Sequence, residues 1–327
     1  MENKKSRLEH EQENLVSVVM TSYNKQKFIG EQLHSIKYQT HKNWELIIAD
    51  DCSTDDSDEA IQKFIKENKD HKIIYIKNNT NLGLVKNFEN GLRYASGEYI
   101  AICDSDDIWL KDKLEKELQF LKDGNYGMVY SDLVVVDENL KVIKKSFLKN
   151  YLSPFSNQRN DTFNELINEN HMVGSTILFD AKLKNVLMPF SRFGIHDHWV
   201  AIIFSIFSTI GYLDKPTVLY RQHSDNLIGA NKYSIGRLLT KKNKIFLEKH
   251  SELKKNSLSF LKDLSNVAGI DDEILGIINK KIEKTQILVE YLSKVKSRKT
   301  IFWKCLFRLW KLNAFREMLQ IIYFTIY

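Results

Sequence analysis

The sequence predicts an α/β fold: a mixed, mostly parallel sheet flanked by helices, followed by a helical C-terminal region. Three observations predict it. Short β-branched runs alternate with amphipathic helical patterns through the N-terminal third, a polar motif follows each of those runs, and from about residue 234 onward the pattern is helical and rich in lysine.

Residues 15–20 (LVSVVM), 45–49 (ELIIA), 73–76 (IIYI) and 99–103 (YIAIC) read as buried strands, because short apolar runs of this kind suit a sheet covered on both faces. Between them, residues 28–38, 58–67 and 84–95 carry apolar side chains at spacings of three and four, the helical period. Strand–helix alternation calls for a parallel sheet with right-handed crossovers. A helix over 111–122, a strand over 126–136, a turn at Asp137-Glu138-Asn139 and a looser region to about Asp161 come next. Residues 172–179 form a further strand candidate and 199–207 an apolar helix. Residues 212–220 are interrupted by Pro216, which predicts one or two edge strands. The expected organisation is a polar tail over 1–13, a catalytic domain over 14–230 and a helical region over 231–327.

A chain of 327 residues with 43% hydrophobic composition can bury a proper core. Three cysteines, Cys52, Cys103 and Cys305, are odd in number and scattered, which suits neither a disulfide framework nor a cysteine zinc site. The polar start and the lack of a long apolar stretch lead to the expectation of a cytoplasmic protein. A net charge of +6 is mild for this length and does not call for nucleic acid. Neither G-x-G-x-x-G nor G-x-x-x-x-G-K-[ST] follows the first strand, which disfavours dinucleotide oxidoreductases and P-loop enzymes.

Ligands of an open α/β sheet bind beyond the carboxyl ends of its strands. There the sequence places Thr21-Ser22-Tyr23-Asn24, Asp50-Asp51-Cys52-Ser53-Thr54-Asp55, the stretch from Asn78 to Gly83, and Asp104-Ser105-Asp106-Asp107. Carboxylates gathered so closely repel one another unless a cation neutralises them, and oxygen ligands of this kind suit Mg²⁺ or Mn²⁺. Asp55 and Asp56 are also placed to cap the following helix.

The stretches SVVMTSYNKQKFIGEQLHSIKYQTHKNWELIIADDCSTDDS and NLGLVKNFENGLRYASGEYIAICDSDDIWLKDKLEKEL resemble the family 2 glycosyltransferases of the GT-A, Rossmann-like fold, over about residues 14–225. The resemblance implies that Thr21 and Tyr23 border the base of a nucleoside diphosphate, that Asp51 binds the uracil or thymine ring, that Asn24 belongs to the nucleotide-binding set, and that the region from Asn81 to Lys86 approaches base and phosphates. It implies that Asp104 and Asp106 hold ribose and metal, with Asp107 able to share either task because the doubled aspartate shifts the alignment by one residue. His196-Asp197-His198-Trp199 supplies the expected general base, Asp197, with helix capping as its alternative; His196 and His198 are expected to shape the pocket or face the acceptor. Arg221-Gln222-His223 resembles the segment that closes over the diphosphate, Arg221 towards phosphate and His223 towards phosphate or metal. The QxxRW motif of processive synthases is absent, so one sugar per event is expected.

The implied activity is inverting transfer of a single sugar, dependent on Mn²⁺ or Mg²⁺, from a nucleotide-sugar donor to a bacterial surface-glycan acceptor carried on lipid. The pattern looks like the rhamnosyltransferase-like branch, pointing to dTDP-rhamnose with UDP-sugars close behind. A noncatalytic nucleotide-sugar-binding or scaffold subunit is the alternative. Residues 294–316 mix eight Lys and Arg with tryptophan and phenylalanine and no acidic residue, the composition of a helix lying on anionic lipid at the inner face of the membrane. Intramolecular or dimer packing is the competing reading, and RNA binding a third without a stacking motif to support it.

Overall fold

The computed structural model describes residues 14–150, 159–224, 244–293, 298–312, 314 and 318. The expected tail over 1–13 lies outside the described residues, as do 294–297 and parts of the chain beyond 312. Two compact units form: Met1–Phe190 with Ile195–Ile228, and Ser191–Gly194 with Gly229–Tyr327.

The first unit is built on β1 (Val16–Ser22), β2 (Trp44–Asp50), β3 (Ile73–Lys77), β4 (Tyr99–Asp104), β5 (Ile108–Trp109), β6 (Met128–Val136), β7 (Val142–Lys144), β8 (Ile177–Asp180) and β9 (Ile210–Arg221). Its helices are α1 (Ile29–Lys37), α2 (Ser57–Glu67), α3 (Leu84–Arg93), α4 (Lys113–Asp123), α5 (Arg159–Leu166) and α6 (His196–Phe207). The strand order is β3-β2-β1-β4-β8-β6-β9-β5, with β7 beside β6. Strands β3, β2, β1 and β4 run parallel, β8 is antiparallel to both β4 and β6, and β9 is parallel to β6. This is the mixed, mostly parallel sheet with flanking helices that the sequence predicts. Every residue of β1 and β2 is buried, as two-sided coverage requires.

Register places the motif ends side by side. Ser22 pairs with Asp50, Thr21 with both Ala49 and Asp104, and Asp50 with Lys77. All four polar loops therefore leave the sheet at one edge. Gly83, with φ of 81°, turns the loop after β3 into α3, a conformation in which a side chain is strained.

Several elements differ from the sequence expectation. Residues 212–220 belong to one continuous strand, β9, rather than to two; β5 pairs with it only at Val218 and Leu219, so around Pro216 its strand neighbour is β6, as expected of an edge. The register shifts around Asp132, where Leu213 pairs with Ser131 and Pro216 with Asp132, so the proline sits at a bulge and the missing N–H leaves no gap in a regular ladder. Residues 174–176 make a helical turn, so the strand expected over 172–179 is reduced to β8. Helix α5 occupies the end of the region expected to be loose, with Phe163 and Leu166 fully buried. Beneath the sheet end, Lys113 and Glu117 form a wholly buried ion pair, with Nζ 2.6 Å from Oε1 and the Thr217 hydroxyl donating to the same oxygen at 2.8 Å.

The second unit contains α7 (Lys244–Ser265), α8 (Asp272–Ser293) and α9 (Arg298–Lys311). Cys305, Leu306 and Leu309 of α9 pack on Ile287, Leu288, Tyr291 and Leu292 of α8. Phe307 and Trp310 remain 54% and 62% exposed, with Lys311 Nζ 4.6 Å from the Phe307 ring centre. Among the described residues no helix is long and apolar enough to cross a membrane.

Candidate active site

The loops after β1 and β2 are tied to each other. The Asn24 amide donates to Ser53 Oγ at 2.9 Å, and Asn24 Oδ1 accepts from the Thr54 amide at 2.9 Å. The Lys25 amide donates to Ser57 Oγ at 2.9 Å, the Gln26 amide to Asp55 Oδ2 at 3.0 Å. Asn24 itself has φ of 52°, in the left-handed region that asparagine adopts more readily than most residues. In this arrangement Asn24 shapes the floor of the site through the loop it holds. Thr21 is buried beside it and Tyr23 is 46% exposed. Asp55 also accepts from the Ser57 amide at 3.1 Å, serving the entry to α2, whereas Asp56 makes no side-chain cap.

Asp51 is buried and receives three donors: the Leu82 amide at 2.7 Å, the Gly83 amide at 2.8 Å and Asn78 Nδ2 at 3.0 Å. It thus fixes the loop that carries Asn81 and leads to Lys86, both exposed. Asn81 Oδ1 accepts from Gly83 at 3.1 Å.

The aspartates after β4 diverge. Asp106 Oδ2 accepts from Lys25 Nζ at 2.8 Å and contacts His223 Nε2 at 3.0 Å. Burial would raise its pKa, but His223 and Lys25 outweigh that and hold the carboxyl below its usual range. Asp104 goes the other way, pushed up to about 7 by burial and by the Asp106 and Asp197 carboxylates, with Lys25 opposing. Asp107, expected among the metal ligands, is wholly buried, and its Oδ1 accepts the Arg221 amide at 3.1 Å. Burial and its two acidic neighbours push it well above the carboxylate range.

Arg221, expected to pair with phosphate, is only 2% exposed. Nε donates to the Asp106 carbonyl at 3.0 Å, Nη1 to the Glu138 carbonyl at 2.8 Å, and Nη2 pairs with Glu31. Its guanidinium also lies 4.8 Å from the Phe28 ring centre, and Phe28 stacks on His223 at 4.7 Å. The side chain is therefore a clasp on the Asp106 backbone. A planar fork with five donors suits such multipoint anchoring.

Asp197 lies in the first turn of α6, inside the helix, which begins at His196 rather than near Trp199. Oδ1 accepts from Asn170 Nδ2 at 3.2 Å and from the His198 amide. Burial pushes its carboxyl up to about 7, the amides of His198 and Gly174 offsetting part of the effect. A Cβ on Gly174 would meet His196 Nε2 at 3.2 Å, Ile102 Cγ2 at 3.4 Å and Asp197 Cβ at 3.6 Å, so a side chain there would press on the His196 ring. His196 is buried against Phe88, ring centres 4.7 Å apart, and burial pushes it down to about 4. His198 Nε2 contacts the Leu166 carbonyl at 2.8 Å, bracing α5. Both histidines shape the surroundings of Asp197.

Sequence reasoning missed Lys25, Glu31, Asn170 and Gly174. A glycine inside the apolar run at 172–179 was a visible sign of close approach. Lys25, one residue past the strand-end motif, carried no signal of its own.

A mixed, mostly parallel α/β sheet with flanking helices and polar loops gathered at the carboxyl ends of its strands is similar to the GT-A fold. Residues 17–185 match the model of glycosyl transferase family 2, and the chain belongs to that family. It is 30% identical over 193 residues, 58% of this chain and 70% of the relative, to the UDP-Glc:alpha-D-GlcNAc-diphosphoundecaprenol beta-1,3-glucosyltransferase WfgD of Escherichia coli. TuaG of Bacillus subtilis (strain 168), named for teichuronic acid biosynthesis, is 41% identical over 117 residues, 36% of this chain and 46% of TuaG. The match thus spans less than half of TuaG. The crystal structure of Staphylococcus aureus TarS 1-349 in complex with UDP superposes with a TM-score of 0.52 at 16% identity, covering 88% of this chain and 75% of that one. At that identity the likeness concerns the fold.

Proposed function

We propose that the chain transfers one sugar, with inversion, from a nucleoside-diphosphate sugar to a lipid-linked glycan acceptor of the bacterial envelope. The observation that carries this reading is the pairing of Asp197 with the β4 aspartates: a buried carboxyl poised at about 7, close enough to Asp104 to raise its pKa. A general base works best when its pKa lies near the working pH. In the reaction the acceptor hydroxyl oxygen attacks the anomeric carbon, the bond from that carbon to the diphosphate breaks on the opposite face, and the hydroxyl proton passes to Asp197. A binding-only subunit has no use for such a base.

Thr21, Tyr23, Asp51 and the Asn81–Lys86 loop would border the nucleotide, Asp51 through the loop it fixes. Asp104 and Asp106 would supply carboxylate oxygens, and His223 beside Asp106 a ring nitrogen, of the kinds that hold Mn²⁺ or Mg²⁺. Among the described residues no three such side chains make a ready cation cage, so the diphosphate oxygens would complete the coordination. A bound divalent ion would supply charge stabilisation for the departing diphosphate. Asp107, sealed beneath them, would support rather than ligate. The UDP-glucose donor of the 30% identical WfgD supports a UDP-sugar donor ahead of dTDP-rhamnose.

We further propose that the protein sits at the inner face of the membrane through α9. Its exposed Phe307 and Trp310, opposite the face packed on α8, carry the aromatic and basic chemistry of an interfacial helix. The donor test is a panel of nucleotide sugars screened for thermal stabilisation with and without Mn²⁺; the true donor at 100 times its Kd adds about 2.7 kcal/mol. Stabilisation by none of the panel would defeat the donor reading.

A further inference from the structure

We propose that Lys25 is an internal counter-ion that keeps Asp106 closed to a metal ion until a diphosphate arrives, so that metal and nucleotide bind as a mutually dependent pair. The inference rests on the metal reading of Asp106 given above.

One oxygen, Asp106 Oδ2, holds both Lys25 Nζ at 2.8 Å and His223 Nε2 at 3.0 Å. The ammonium and the carboxylate are 16% and 13% exposed in their side chains, so the pair is largely shielded from screening by water and salt. A divalent cation that ligates this oxygen must displace the ammonium, and the displaced ammonium would stay beside the incoming charge. Metal without nucleotide therefore meets both competition and like-charge repulsion.

The backbone of Lys25 is fixed. Its amide donates to Ser57 Oγ at 2.9 Å, and its carbonyl accepts the Phe28 and Ile29 amides, each at 2.9 Å, at the start of α1. Only the flexible four-carbon stem is available to move, which is the property that distinguishes lysine from a planar, pre-set arginine fork. A diphosphate offers that ammonium a new anionic partner. Released, Asp106 becomes a ligand for the cation that the same diphosphate brings. Each ligand removes the cost that the other faces alone, and by linkage each must raise the other's affinity by the same factor. His223, stacked on Phe28 with ring centres 4.7 Å apart, is the second neighbour of the same oxygen.

The test is Mn²⁺ binding to the full chain, followed by electron paramagnetic resonance of free Mn²⁺, without nucleotide and with UDP. In Lys25→Met, Mn²⁺ alone should bind at least tenfold more tightly than to the parent, while UDP alone binds more weakly and the coupling between the two shrinks. Lys25→Arg, which keeps the charge, should keep metal-alone binding weak. Opposite signs for the two ligands separate this role from damage to the fold, which would weaken both. Metal-alone affinity that is unchanged or lower in Lys25→Met overturns the proposal while leaving the metal site standing. A parent protein that binds UDP equally with and without Mn²⁺, and shows no Mn²⁺ uptake in its presence, overturns the metal reading and this proposal with it.

Discussion

Replacing Asp197 by asparagine should abolish turnover and at the same time stabilise the protein. The carboxyl titrates at about 7 in the fold against an ordinary 3.8, because burial disfavours its charge. Its folded pKa is raised, so the folded state holds a proton that the unfolded chain releases between those values. Stability is then fully present below about 4 and is lost as pH rises towards 7. At about 1.36 kcal/mol per pH unit, the ionised carboxylate costs the fold up to about 4 kcal/mol at pH 8. The amide carries no charge and can still accept from Asn170 and His198 through its oxygen. About half of the penalty, roughly 2 kcal/mol, should be recovered, which corresponds to a Tm increase of about 4–8 °C for a domain of this size. Circular dichroism melts of parent and variant from pH 4 to pH 8 measure it: the gain should grow with pH up to about 7 and then level. Donor binding should survive, since the change removes a proton acceptor and not a nucleotide contact. A variant that is less stable than the parent at pH 8, or that retains activity within about tenfold, refutes the reasoning.

Four further outcomes follow from the same geometry. The rate at saturating donor should rise with pH through about 7 as Asp197 loses its proton, and a pH–rate profile flat from 5.5 to 8 would place the base elsewhere. Asp106→Ala should end turnover and remove the Mn²⁺ or Mg²⁺ dependence of nucleotide binding, read by calorimetry with and without metal. Gly174→Ala, which crowds His196 Nε2 and Asp197 Cβ, should lower kcat at least tenfold with little change in donor KM and a stability loss of about 1–3 kcal/mol by denaturant titration. Phe307→Ser with Trp310→Ser should release the protein from vesicles containing anionic lipid while activity on a soluble acceptor persists; co-sedimentation at low and high salt reads the first, and unchanged sedimentation would show that α9 is not the membrane face.

The alternation of β-branched runs and helical periods was enough to determine the parallel core of β1 to β4 and its crossover helices, because short-range pattern specifies which face of each element is apolar. The position of the polar motifs at strand ends was enough to say where the site lies, since strand register carries every such end to the same edge. What the pattern could not determine were relations between residues far apart in sequence. Pro216 marks the edge stretch of β9, and the register shift at Asp132 absorbs it, while β5 returns to pair only with Val218 and Leu219 further on. Arg221 and Asp107 looked like ligand residues by type. Their surroundings are set by tertiary packing, which buries Asp107 and brings the guanidinium to Glu31, the Glu138 carbonyl and the Asp106 carbonyl. Lys25 and Asp106 are eighty-one positions apart, and their ion pair exists only because β1 and β4 are neighbours. The pKa of Asp197 is likewise a property of burial under the turn at Gly174. Desolvation depends on what surrounds a carboxyl in three dimensions, which its sequence neighbours do not encode.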